Sequence, residues 1–145
     1  MKISFSITDR TLTLKTHANS LTIPATSGRG SCMNNAIQAC ISKKNEGPIP
    51  IGTYYIVPSE LSDPSLLGDL ARRTQGDWGD WRVRLHPDNR TATFGRDGFF
   101  IHGGDTSGSA GCIDVGGGIF GNNHTDRLRN AIESSQVRIP VEVVK

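Results

Sequence analysis

No apolar run in this 145-residue chain approaches the roughly 20 residues that a helix needs to cross a bilayer, so a helical membrane span is not expected. An excess of one charge is missing as well. Sixteen Lys and Arg against fourteen Asp and Glu leave a net charge of +2, interspersed along the chain, which gives no electrostatic footprint for nucleic acid. Paired metal-ligand spacings such as Cys-x-x-Cys or His-x-x-x-His are absent, and this argues against a zinc site. The looser set His102, Asp105, Cys112 and His124 is the weaker chemical reading, so neither metal nor cofactor is expected. No internal repeat or low-complexity linker divides the chain, and its length suits one domain over residues 1–145 with a single core.

What is present is a soluble, turn-rich composition with 35% hydrophobic residues, 17 Gly and 7 Pro. Ile3, Phe5 and Ile7 alternate with polar neighbours, as do Leu12 with Leu14 and Leu21 with Ile23, and Thr8-Asp9-Arg10 separates the first two strands as a hairpin. Further strands are predicted over 54–57, 81–85, 91–94 and 99–101, with a turn at Pro87-Asp88-Asn89. A terminal strand over 137–144 contains Pro140, which predicts an edge or a bulge because proline cannot donate to a ladder. Two helices are expected. Asp63-Pro64 caps a stripe of Leu66, Leu67, Leu70 and Ala71 that ends near Arg72-Arg73, and a second helix over about 125–134 packs through Leu128, Ala131 and Ile132. The fold class is mainly β with peripheral helices.

Three cysteines leave one thiol over if two pair, and Cys32 with Cys40 would be that pair. Were residues 33–41 a continuous helix, a rise of about 1.5 Å per residue would hold the two roughly 12 Å apart, too far for a bridge. Pairing therefore requires an irregular segment, and two separate thiols are the favoured expectation.

Cys112 stands apart. Residues 102–114 read His-Gly-Gly-Asp-Thr-Ser-Gly-Ser-Ala-Gly-Cys-Ile-Asp, joining a histidine to a cysteine through a glycine-rich loop after Phe99-Phe100-Ile101. A cysteine attacks carbonyls as its thiolate, so it needs an imidazole to take its proton and backbone N–H groups to hold the oxyanion. Small residues at Ser109, Ala110 and Gly111 would expose the amides of Gly111 and Cys112, and Gly103-Gly104 lets the chain leave His102 uncrowded. The bland alternative is a buried structural cysteine beside a plain turn.

Phe-Ile-His-Gly-Gly followed by Ser-Ala-Gly-Cys-Ile resembles the histidine and Ser-x-Gly-Cys signature of the L,D-transpeptidase (YkuD-like) catalytic domain. The stretch from Gly47 to Ile56, Gly-Pro-Ile-Pro-Ile-Gly-Thr-Tyr-Tyr-Ile, resembles that family's Pro-x-Gly-x-Tyr/Phe strand, and with Ser27-Gly28-Arg29-Gly30 the similarity extends from about residue 10 to 115. The short motif and small chain are most similar to the L,D-transpeptidase effectors of type VI secretion. The resemblance implies a mixed β-sheet fold in which Cys112 is the nucleophile and His102 its base, acting on an L,D bond of peptidoglycan stem peptides. It further implies trimming of tetrapeptides or exchange of their terminal D-alanine, secretion-apparatus components and a periplasmic immunity protein as partners, and action in a target cell's periplasm. Residues 1–8 alternate like a strand and do not resemble a signal peptide, which is consistent with release through such a machine or with a trimmed leader.

Within that resemblance Gly111, Ser109 and Gly103 would line the oxyanion and base loop, a backbone carbonyl near Gly103 would orient the imidazole, and Arg29 and Tyr54 are candidate substrate contacts. Trp78, in the loop Gly76-Asp77-Trp78-Gly79-Asp80-Trp81, is a further candidate because an aromatic face stacks on sugars and acyl chains. Trp81 begins an alternating strand and is expected in the core. His17, His86 and His124 are expected at surfaces or turns. In the housekeeping enzymes Arg or Asn commonly stands at the position of Asp114, and a carboxylate pointing into the cleft would repel a substrate carboxylate. Asp114 is therefore expected to turn away and bind loop amides. A housekeeping L,D-transpeptidase and a non-catalytic wall-binding module are the alternative functions, and an NlpC/P60-like peptidase is disfavoured because its cysteine precedes its histidine.

Overall fold

The protein is represented by a computed structural model that describes residues 1–62, 81–104, 109–117 and 122–145. Its strands are β1 (Lys2–Ser6), β2 (Thr11–Lys15), β3 (Ser20–Pro24), β4 (Thr26–Gly28), β5 (Gly52–Ile56), β6 (Arg82–Arg84), β7 (His86–Pro87), β8 (Phe100–His102), β9 (Ser109–Asp114) and β10 (Ile139–Val144). The helices among the described residues are α1 (Gln38–Ile41) and α2 (Asn123–Glu133), with 3-10 turns at Gly30–Cys32 and Pro58–Glu60.

Two sheets result. The larger has the order β3-β2-β1-β10-β5-β7, and the smaller β4-β9-β8-β6. The period-2 pattern explains the larger sheet directly: Ile3 and Phe5, Leu12 and Leu14, Ile23, Tyr54 and Ile56, and Val141 and Val143 all point inward. Val83, Ile101 and Ile113 supply the inner face of the smaller sheet, aligned across β6, β8 and β9. Leu128 and Ile132 of α2 join the same core, which also contains Trp81, while Ala131 packs at its margin. Asn122 caps that helix by accepting from the His124 and Thr125 amides at 3.0 Å each, and Thr125 Oγ1 accepts from the Asn122 amide at 2.8 Å. The capping box starts the helix two residues before Thr125.

Three expectations change. The terminal strand is interior, between β1 and β5. Pro140 is tolerated because the ladder to β1 begins only at Ile3 and Val141, so the missing N–H falls before that pairing. Residues 91–94 do not form a strand: the Thr91 amide closes a turn on the Asp88 carbonyl, and Phe94 takes a left-handed φ of 56°. Cys32 and Cys40 are joined in a disulfide with a Cα separation of 5.2 Å. The helix that would have kept them apart is not continuous, since α1 starts only at Gln38 and the chain before it is a 3-10 turn and irregular backbone. The expected helix from Asp63 to Arg73 lies outside the described residues.

The bridged segment folds back on itself beside the smaller sheet. The Arg29 amide donates to the Glu46 carbonyl at 2.8 Å, closing the loop's two ends. Gly28 permits this with φ +83°, and a Cβ there would sit 2.6 Å from the Cys32 carbonyl oxygen, so no other residue fits without moving the loop.

Candidate active site

β8 and β9 run parallel, with Ile101 opposite Ile113 and His102 opposite Asp114. Because alternate residues share a face, Cys112 stands two residues from Asp114 on the same side as His102. Ile101 and Ile113 face the core. His102, Cys112 and Asp114 are nonetheless buried, at 1%, 3% and 4% exposure. The parallel pair thus gathers an imidazole, a thiol and a carboxylate on one sheet face.

Nδ1 of His102 lies 2.6 Å from the Gly103 carbonyl oxygen. A carbonyl can only accept, so Nδ1 carries the ring proton and Nε2 is the nitrogen with basic character. The Val115 amide fixes the backbone of His102 by donating to its carbonyl at 2.9 Å. Asp114 turns to its own loop, where Oδ1 accepts from the Gly116 amide at 2.7 Å. The loop-amide contact is the one expected of Asp114, but its carboxylate stays on the face shared with His102 and close enough to act on Cys112, so it does not turn away from the site.

Burial pushes the Cys112 thiol above its ordinary pKa, because a thiolate there loses hydration. A hydrogen bond from Ser109, a backbone hydrogen bond at Phe100 and the charge of Arg29 pull the other way, whereas Asp114 adds to the rise. The thiol itself points to the Gly98 carbonyl at 3.7 Å. Arg29 therefore lies close enough to act on the sulfur, and its side chain is exposed, as a substrate contact would need to be.

Other site residues fall differently. Gly111 adopts φ +77°, the turn expected of it, but its amide donates to the Gly47 carbonyl at 2.9 Å. The expectation of an exposed Gly111 amide is corrected, since a neighbouring loop already takes it. Tyr54 is also corrected: it is 2% exposed, its hydroxyl donates to the Pro50 carbonyl at 2.7 Å, and its ring packs edge-on to Phe99. Its pKa is raised well above the ordinary tyrosine range by burial, with Arg96 opposing. Such a residue anchors the core rather than contacting substrate. Trp78 lies outside the described residues. His86 pairs with Glu60 at 2.6 Å and stacks on Tyr55, while His17 and His124 are exposed.

Arg96 was not singled out from the sequence. Set between Gly95 and Asp97-Gly98, it reads as a solvated turn residue, yet it is 8% exposed and donates to the carbonyls of Ile41, Gly47 and Pro48. The signal that could have found it is the need of the 41–48 stretch, which has little regular structure, for donors to its buried carbonyls.

Among the described residues no group of three His, Cys, Asp or Glu side chains could hold a metal ion, and no helix is long and apolar enough to cross a membrane.

The fold is shared with solved L,D-transpeptidases. L,D-transpeptidase 1 of Mycobacterium tuberculosis superposes with a TM-score of 0.52 at 18% identity, over 99% of this chain and 61% of that one. L,D-transpeptidase 3 of the same organism gives 0.55 at 16% identity, over 99% and 60%. An L,D-transpeptidase from Mycobacterium smegmatis gives 0.51 at 16%, over 99% and 58%. The chain thus spans about 60% of the length of the structures it matches. No curated protein matches it. The profile of the Tlde1 domain matches residues 22–139, a span that includes β8, β9 and the bridged loop, and on that match the chain belongs to the Tlde1 domain family, with an L,D-transpeptidase-like fold.

Proposed function

We propose that the protein is an antibacterial peptidoglycan-modifying cysteine enzyme of the type VI effector kind, acting at the L,D bond of tetrapeptide stems. The observation that carries this reading is the placement of Cys112 and His102 on one face of neighbouring parallel strands, with the His102 tautomer held by Gly103. Nε2 takes the thiol proton as sulfur attacks the carbonyl carbon of the stem's third residue, and the amide of Cys112 holds the oxyanion. Collapse breaks the C–N bond, and the imidazolium returns the proton to the departing amine of D-alanine. A thioester remains. Water then gives a tripeptide carboxylate and the free thiol, whereas the amine of another D-amino acid gives an exchanged tetrapeptide.

Ser109 supports the thiolate through its hydrogen bond, and Arg29 is assigned to a substrate carboxylate because its fork of donors suits one. The site of action is the periplasm of a target cell, reached through a secretion apparatus, and the producer is protected by a periplasmic immunity protein that plugs the cleft.

The test is incubation of the purified protein with tetrapeptide muropeptides, followed by mass spectrometry. Loss of one alanine, or its replacement by an added D-amino acid, is expected from the wild type and not from Cys112→Ala. Periplasmic expression should lyse cells in a Cys112-dependent way, while cytoplasmic expression is tolerated. Harmless periplasmic delivery, or lysis by Cys112→Ala, contradicts the antibacterial role.

One observation favours a second reading, a non-catalytic wall-binding module: Cys112 is 3% exposed, and inert structural cysteines are buried. Negligible alkylation of Cys112 in the folded protein would support it.

A further inference from the structure

Arg96 ties the bridged loop to the nucleophile strand through one shared acceptor. Its Nη1 donates to the carbonyls of Ile41 and Pro48, the latter at 2.8 Å, and its Nη2 donates to that of Gly47 at 2.8 Å. The same Gly47 oxygen accepts the Gly111 amide at 2.9 Å, so both of its lone pairs are occupied. Gly111 is the residue immediately before Cys112, in the left-handed region at φ +77°. A Cβ at Gly111 would lie 2.9 Å from Arg96 Nη2 and 3.1 Å from the Phe99 ring, which shows how closely the guanidinium sits against the strand. The face of Phe99, 5.8 Å from the guanidinium carbon, completes the pocket.

Burying a guanidinium is costly, and an apolar side chain of similar volume would fill such a pocket at less cost to stability. What an apolar residue cannot do is fix three carbonyls at once. We propose that Arg96 is a positioning residue for the nucleophile: by clamping the Gly47 carbonyl it holds Gly111 in its left-handed turn, and so sets where the Cys112 thiol stands relative to His102. The role follows from the planar fork rather than from charge alone, and lysine, a single point donor, cannot reproduce it.

This inference rests on the reading of Cys112 as the nucleophile, so its main readout is the thiol itself, independent of any substrate. The groups that act on that thiol are Ser109 and Asp114 on β9, the Phe100 backbone on β8, Arg29 just after β4, and Arg96, and His102 stands on the neighbouring strand β8. In protein with the Cys32–Cys40 bridge intact, the rate of Cys112 alkylation by iodoacetamide is followed against pH for wild type, Arg96→Gln and Arg96→Lys, with circular dichroism checking the fold. Both variants should titrate higher than wild type by about one pKa unit, a tenfold loss of thiolate at a given pH. On tetrapeptide, kcat should fall by about tenfold or more with KM changed by less than about threefold, the pattern of lost alignment rather than lost binding.

A wild-type alkylation profile in either folded variant overturns the proposal, and an unchanged profile for Lys alone would assign the effect to charge. If the variants do not fold, amide exchange in the wild type decides. A Gly111 amide protected as strongly as those of β8 supports the clamp, and one exchanging as fast as an exposed loop amide overturns it. Absence of turnover in the wild type would count against the proposed function alone, because the alkylation and exchange readouts need no substrate.

Discussion

The two sheets are built on different terms. In the six-stranded sheet, inward positions are apolar from β1 to β10, and the polar residues face water. The four-stranded sheet and the loop clasped to it hold Ser27, Arg96, His102 and Asp114, four of the five buried polar or charged residues among those described. Burying such groups is unfavourable unless each finds a partner, and here the partners are backbone: Ser27 Oγ accepts from Ile49, Arg96 donates to three carbonyls, His102 meets Gly103, and Asp114 accepts from Gly116. One sheet stabilises the fold by area removed from water. The other orders a polar cluster by satisfying hydrogen bonds, and that is where the proposed chemistry is placed.

Substitutions should separate these terms. The largest effect is expected at the dyad, where His102→Ala and Cys112→Ala each abolish turnover with the fold retained and their losses non-additive, as kinetics on the single and double variants would show. Phe5→Ala, in the six-stranded sheet, should instead cost about 3–5 kcal/mol in denaturant unfolding and leave kcat of the folded fraction nearly unchanged. If Phe5→Ala altered the pH profile of Cys112, the division between frame and site would be wrong.

The frame was legible because period-2 alternation is a local signal: residues 3–7, 12–14 and 21–23 announce their strands, and Leu128 with Ile132 their helix. His102 and Cys112 stood out in the sequence as a candidate dyad because glycine and small residues crowd around them. What was not legible depends on pairing across the chain. Pro140 argued for an edge, but its cost depends on where the β1 ladder begins, which only the register of Ile3 with Val141 reveals. The bridge between Cys32 and Cys40 depends on how far α1 extends. Tyr54 looked like a substrate contact on a matching strand, and only the packing of Phe99 and the Pro50 carbonyl shows it turned inward. Arg96 was hidden for the same reason, since its acceptors lie 48 to 55 residues away.

The disulfide sharpens the contrast at intermediate size. Replacing Cys32 and Cys40 together by Ser opens a ring with a sequence separation of 8, for which chain entropy gives a loss of about 2.5 kcal/mol. Thermal unfolding should register that loss, while turnover stays measurable because Cys112 is a separate thiol. Total inactivation of the folded double variant would mean that the nucleophile has been misassigned.

The smallest effect concerns alkaline pH. Burial raises the folded pKa of Cys112 above its unfolded value, so the native state holds this proton more tightly. The associated stability is fully present below the unfolded thiol pKa of about 8.5 and is lost as pH rises through the higher folded value. Cys112→Ala should therefore flatten the decline of stability above about pH 8.5 relative to wild type, in unfolding curves taken across that range. An equal decline in both proteins would show that the thiol is not desolvated as described.

The most direct test of the account is intact-protein mass spectrometry after brief mixing with tetrapeptide muropeptide and an acid quench. The account predicts an acyl adduct of the tripeptide stem, with D-alanine released, that maps by digestion to the peptide containing Cys112 and is absent from Cys112→Ala. Release of D-alanine without an adduct, undiminished in Cys112→Ala, would contradict it.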